Sequence, residues 1–178
     1  MDETVEAAFG DLLRQVDLLL PRTDEGMPDT ERERADVVAE FLGFLARRMT
    51  ELHTRRQDEV ASFLGWLEGQ LGCRVDDLSG KTYVREYYAQ PEGVEKLLGV
   101  IERNHPAVTS LDVSQPDGYR AVNAVRQRFV EGYERSMATL APILRQLELT
   151  DALIDRIVYR LYGLSKAEIE LVEQTVHG

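Results

Sequence analysis

Four arginines, Arg47, Arg48, Arg55 and Arg56, flank His53 within a span of ten residues. Guanidinium groups at this density can follow a phosphate backbone, because Arg pairs with phosphate oxygens through a planar fork of N–H donors. At helical spacing, positions 48 and 55 share a face. The same run also reads as a solvated surface, with Glu51–Arg55 and Arg55–Glu59 as intrahelical pairs. A second group, Lys81, Thr82, Arg85, Tyr87 and Tyr88, joins cations that suit an anion to tyrosines that a helix can bury. Asp155 and Tyr159 stand four apart, a spacing that serves an acid and a phenol. With no pocket partner in the neighbouring sequence, a structural hydrogen bond is the simpler role for them.

Other chemistries are excluded by composition. The lone Cys73 allows neither an internal disulfide nor a cysteine zinc cluster, and implies a reducing cytoplasm. His53, His105 and His177 show no ligand spacing, so no metal or cofactor is expected. The acidic N-terminus MDETVEAAFG lacks the basic start of a signal peptide, and no apolar run approaches the ~20 residues of a membrane span. Net charge is −11 over 178 residues, and the cations are 18 Arg against 3 Lys. A chain that grips DNA unaided needs a basic face, since phosphate neutralisation supplies most of the affinity. The acidic surplus argues against that, although a local basic patch remains compatible with it.

The elements that must position these residues are helical. Val5, Ala8, Phe9, Leu12, Leu13 and Val16 give residues 3–20 the period of an amphipathic helix, followed by a loop from Pro21 to Asp29. Thr30 with Glu33 forms a capping box opening a helix of about 31–71, roughly 60 Å long at ~1.5 Å per residue. Its apolar stripe lapses between Leu52 and Val60, but an unbroken helix is favoured. Gly72 ends it. Lys81–Ala89 is a short helix or an extended piece, Pro91 starts the next helix, and Asn104-His105-Pro106 stops it. Val108–Val113 reads as extended. Residues 116–148 form another long helix, which Pro142 should kink near Ala138.

The most fully specified stretch is Leu149–Val172. Thr150 is a good N-cap, with Leu149 and Ile154 as a hydrophobic staple; Gly163 stops the helix in the left-handed conformation. Ser165 and Glu168 then form a second capping box, with Leu164 and Ile169 as its staple. The fold class is therefore all-α: an elongated helical bundle around the 31–71 helix, closed by a C-terminal pair of short capped helices. An N-terminal helix and linker (1–29) precede a helical domain (30–178).

The residues Thr150, Asp151, Leu153, Ile154, Asp155, Ile157, Val158, Tyr159, Leu161, Tyr162, Gly163, Leu164, Ser165, Glu168, Ile169, Leu171, Val172 and Glu173 spell a string with a family resemblance. It is similar to the C-terminal end of bacterial and archaeal adenine-N6 DNA methyltransferases, the type IIG restriction–modification enzymes and their BREX-like relatives in phage defence. Val38–Tyr87, with its D-D-L, K-T and Y-Y landmarks, also resembles that region, so the likeness spans about 38–174. The family's motif positions here are structural: Thr150, Asp151, Asp155, Tyr159, Tyr162, Gly163, Ser165 and Glu168.

The resemblance implies a role in DNA modification without supplying its chemistry. The family's Gly-rich loop for S-adenosylmethionine and its N-P-P-Y/F motif do not occur; asparagine stands only in Asn104-His105 and Asn123-Ala124. Pro116-Asp117 has no acidic-x-Lys partner that would complete a nuclease motif. The expectation is a non-catalytic subunit or fragment without cofactor. It would dock on a methyltransferase or restriction subunit, with DNA met inside that complex, and would be cytoplasmic with no membrane contact. Arg47, Arg48, Arg55, Arg56, Lys81 and Arg85 are the expected DNA contacts. The alternatives are an autonomous DNA-binding, target-recognition module and a remnant that folds without a role.

Overall fold

The computed structural model describes residues 2–104 and 118–177. Among them the protein is all-α, with six helices: α1 (Asp2–Leu19), α2 (Ala35–Leu71), α3 (Lys81–Arg85), α4 (Val94–Asn104), α5 (Gly118–Leu161) and α6 (Lys166–His177). Short 3₁₀ turns at Val75–Asp77 and Tyr87–Ala89 flank α3. The β pairing among the described residues is an isolated bridge between Arg22 and Pro28. The extended piece expected at 108–113 lies outside the described residues.

Helix α2 is unbroken, but it begins at Ala35 rather than at 31. The preceding turn is organised by Asp29, not by Thr30: its carbonyl accepts from the Arg32 and Glu33 N–H groups, and its carboxylate from the Glu31 N–H at 3.3 Å. The Arg34 N–H is then bound to the Leu19 carbonyl at the end of α1 (2.7 Å), so the chain enters α2 only after that anchor. Helix α4 likewise starts at Val94, after Gly93 (φ +56°), rather than at Pro91. Gly72 ends α2 as expected, with φ +68°.

The larger correction concerns α5. Its 44 residues run through Thr150 without interruption, so no new helix begins there, and Pro142 lies inside the helix as expected. The two short C-terminal helices are thus the last turns of α5 and a separate α6. Leu140, Ile143, Leu147, Leu153 and Ile157 are all buried, so one apolar stripe continues past the local capping signal at Thr150. The turn and second cap do form. Gly163 has φ +68°, and Ser165 and Glu168 exchange the expected bonds, Glu168 N–H to Ser165 Oγ (3.4 Å) and Ser165 N–H to Glu168 Oε2 (2.8 Å).

The chain forms two compact units, Met1–His53 with Arg145–Gly178, and Thr54–Leu144. The boundary in α2 falls where the apolar stripe lapses. In the first unit, Val5, Leu13 and Val16 of α1 are buried with Val38 and Leu45 of α2 and Leu153 and Ile157 of α5. The N-terminal helix is therefore part of a shared core.

The second unit is built around aromatic rings. Phe63 lies 4.2 Å from Tyr87 and 5.6 Å from Trp66, centroid to centroid, and Trp66 meets Phe129 edge-on at 6.1 Å. Asn104 ties the end of α4 to the loop before α3, accepting from the Ser79 N–H (2.7 Å) and donating to the Ser79 carbonyl (2.9 Å). Arg126 of α5 bridges Glu95 and Glu102 of α4, at 2.8 and 3.0 Å.

Trp66 approaches α5 closely because residue 132 is glycine. A Cβ there would come within 2.2–2.8 Å of three atoms of the Trp66 six-membered ring. Gly132→Ala should therefore expel the indole and lower unfolding free energy by about 1–2 kcal/mol, the overpacking cost outweighing the helix-propensity gain. Gly65→Ala and Gly69→Ala, where a new Cβ meets nothing within 4 Å, should each raise it by up to about 1 kcal/mol. Urea titration followed by tryptophan emission reads both effects.

Candidate functional site

The six cations expected to meet DNA are divided between the units. Arg47 and Arg48 belong to the first, and Arg55, Arg56, Lys81 and Arg85 to the second. Arg48 is occupied by its own chain, paired with Glu51 at 3.2 Å and donating to Gln146 Oε1 at 3.2 Å. Lys81 donates to the Asp76 carbonyl at 3.3 Å, and Arg85 pairs with the Asp76 carboxylate. Arg47, Arg55 and Arg56 make no ion pair among the described residues. The intrahelical pairs expected of Arg55 do not form, because Glu51 is taken by Arg48 and Glu59 accepts from Ser136.

Tyr87 is not a surface aromatic but part of the second core, and it introduces a buried polar chain that the sequence did not signal. Ser136, only 3% exposed, donates its hydroxyl to Glu59 Oε1 at 2.7 Å. The Tyr87 hydroxyl, 2.6 Å from Ser136 Oγ, must then be the donor to that oxygen, since the serine proton is already committed. A nucleophilic serine needs a substrate at its oxygen, and here a tyrosine fills that place. The chain is structural. Burial first, then the Asp77 and Glu68 carboxylates, push the Cys73 thiol upward, away from the thiolate.

The first unit holds a more open feature, a groove of about 620 Å³ beside the turn between α5 and α6. Arg22, Arg156, Arg160 and Lys166 line it, with Glu6 as the one carboxylate among the described residues. Leu164, Ile169 and the Tyr159 ring supply its apolar surface. Arg156 and Arg160 are one helical turn apart on α5. Arg160 is oriented by Asp17 (2.8 Å) and Glu6 (3.5 Å) of α1, and Arg156 by Glu173 of α6 (3.5 Å). Arg22 donates to the carbonyls of Gly26 (3.1 Å) and Gly163 (3.4 Å), which fix the guanidinium without neutralising it. Lys166 is exposed and makes no ion pair among the described residues. Burial, reinforced by Asp155 and Glu173, raises the Tyr159 phenol, so it is a neutral hydroxyl and ring at ordinary pH.

Of the motif positions, Tyr159 lines this groove and Gly163 supplies the carbonyl that holds Arg22. Thr150 and Asp151 lie inside α5, Asp155 is exposed, and Tyr162 is 73% exposed. Arg156 and Arg160 were legible as an i, i+4 pair, but Arg22 gave no sign, since its partner is 141 positions away. Among the described residues no cluster of His, Cys, Asp and Glu suits a metal ion, and no helix is long and apolar enough to cross a membrane.

The molecule is an all-α protein with a cation-lined groove on an acidic chain. No protein-family model, curated protein or solved structure matches it.

The buried phenol has a measurable consequence. Burial pushes the Tyr87 phenol up to about 12, from an ordinary value of about 10. A raised value means that its contribution is complete below the unfolded value and is lost as pH climbs through the folded one. Between those limits stability should fall by about 2–3 kcal/mol. Unfolding titrations from pH 9 upward should show this decline in the wild type and a shallower one in Tyr87→Phe.

Proposed function

We propose that this chain is a non-catalytic helical subunit of a DNA modification or restriction system. It docks on the methyltransferase or restriction chain in the cytoplasm, and meets DNA within that complex. What carries the reading is the exposure of α6 and the turn before it. Leu171 and Val172 are 65% and 38% exposed, and Tyr162 is 73% exposed. All three fall within the stretch that resembles the methyltransferase C-terminal region. A twelve-residue helix is marginal in water by itself, and an uncovered apolar face is the usual mark of a protein contact.

The autonomous DNA-binding reading has less support. The chain carries a net charge of −11, and Arg48, Lys81 and Arg85 are spent on contacts within it. Phosphate tracking needs cations free to displace counterions.

The test is to mix the purified chain with an adenine-N6 methyltransferase chain that holds the N-P-P-Y motif but lacks this C-terminal region. Co-elution in gel filtration at micromolar concentration is expected. The Leu171→Glu, Val172→Glu double variant should weaken the complex at least about tenfold, since it puts two charges into a desolvated contact. Duplex DNA should be retarded by the complex and not by this chain alone. Separate elution of the two wild-type chains would overturn the reading.

A further inference from the structure

We propose that the groove between Arg22, Arg156, Arg160 and Lys166 is the seat of an acidic peptide segment of the partner, one that carries apolar anchor residues among its carboxylates. The inference rests on the docking reading and specifies what docks.

Two features of the groove select this occupant. The first is charge. In a chain with an excess of 11 acidic groups, the described lining brings together four cations and one carboxylate. Arg22 is pre-oriented by carbonyl oxygens and Lys166 is without an ion pair among the described residues, so both keep a full charge for a ligand. The pairs of Arg156 and Arg160 are with half-exposed carboxylates, Glu173 at 46%, Glu6 at 53% and Asp17 at 57% side-chain exposure. The Arg156 and Arg160 side chains are themselves 17% and 24% exposed, so an incoming anion would replace exposed carboxylates on guanidinium groups already held in place.

The second feature is the apolar surface. Leu164, Ile169 and the Tyr159 ring lie among the cations, which suits a side chain such as leucine and offers nothing to a bare phosphate. The same helix continues into the exposed Leu171 and Val172, so a segment seated in the groove can extend along α6. A nucleic-acid backbone fits poorly. Its phosphates would use the cations and leave Leu164, Ile169 and the Tyr159 ring unmatched. A carboxylate peptide meets the cations at single points and buries its anchors between them.

The experiment uses a fluorescein-labelled peptide with two central leucines flanked on each side by three glutamates. Controls replace the leucines with glycine or the glutamates with lysine. Fluorescence anisotropy with the full chain should give saturable binding of the first peptide, weakened by salt, and at least about tenfold weaker binding of both controls. Lys166→Glu removes an exposed cation outside the ion-pair network, so the fold is preserved. It should weaken binding by about fivefold or more, with the circular dichroism unchanged. Absence of saturable binding, equal binding of the lysine control, or displacement by inorganic pyrophosphate or duplex DNA at the same site would overturn the proposal. The two readings fail separately. A methyltransferase complex that the peptide does not compete with sinks the groove assignment alone. A peptide that binds while no complex forms removes the partner class and leaves the groove.

Discussion

Burial of an apolar stripe, continuous along the second half of α5 and lapsing only between Leu52 and Val60 in α2, is what allows helices of this length to exist. Isolated helices gain little per residue, and most helical stability in proteins comes from tertiary packing of one face. Each buried Leu or Ile contributes roughly 1.5–3 kcal/mol, against about 1 kcal/mol for a good cap. That ratio explains why α5 ignores Thr150. Starting a new helix there would have interrupted a stripe that holds Leu147, Leu153 and Ile157 out of water. It also explains why Pro142 is tolerated, since the neighbouring Leu140 and Ile143 are both buried. The helix loses one backbone bond and keeps its packed face.

The same ratio divides what the sequence made legible from what it did not. Periodicity located every long helix, and the lapse between Leu52 and Val60 marked the point where α2 passes from one compact unit to the other. Local signals succeeded where nothing tertiary competed. Gly72 and Gly163 adopt positive φ, and Ser165 with Glu168 forms its box on a helix whose side chains are mostly in water. The Ser165 bonds hold the Glu168 carboxyl below its usual range, a sign that the box forms in the charged state. Local signals failed at Thr30, where Asp29 and the Leu19 carbonyl organise the turn first.

Side-chain chemistry was harder to read because its partners are distant in sequence. Arg48 meets Gln146, Glu59 meets Ser136, and Arg160 meets Asp17, at separations of 98, 77 and 143 residues. No spacing rule reaches that far. Arginines that read as a phosphate stripe along α2 are partly committed to their own fold. Arg156 and Arg160, to which the sequence assigned no role, line a groove together with a cation from the loop after α1. Charge in an acidic chain is informative by its placement, and placement is a property of the packed core.

Helix α6 shows how little binds a candidate docking element to the body that carries it. Of residues 166–175, only Ile169 is half-buried. The helix is held by its cap, by the Arg156–Glu173 pair and by the turn at Gly163, whose carbonyl Arg22 grips. The Arg22 bond is long at 3.4 Å and the Glu173 side of the Arg156 pair is 46% exposed, so both are open to competition. Segments of this kind sit at the low end of a protein's local stability, where ordering by a partner costs least and changes most. The groove cations are the same groups that fix α6 in place. A ligand that recruits Arg22 and Arg156 would therefore act on the orientation of Leu171 and Val172 as well. Seating of an acidic segment and covering of the exposed helix then become coupled steps of one docking event.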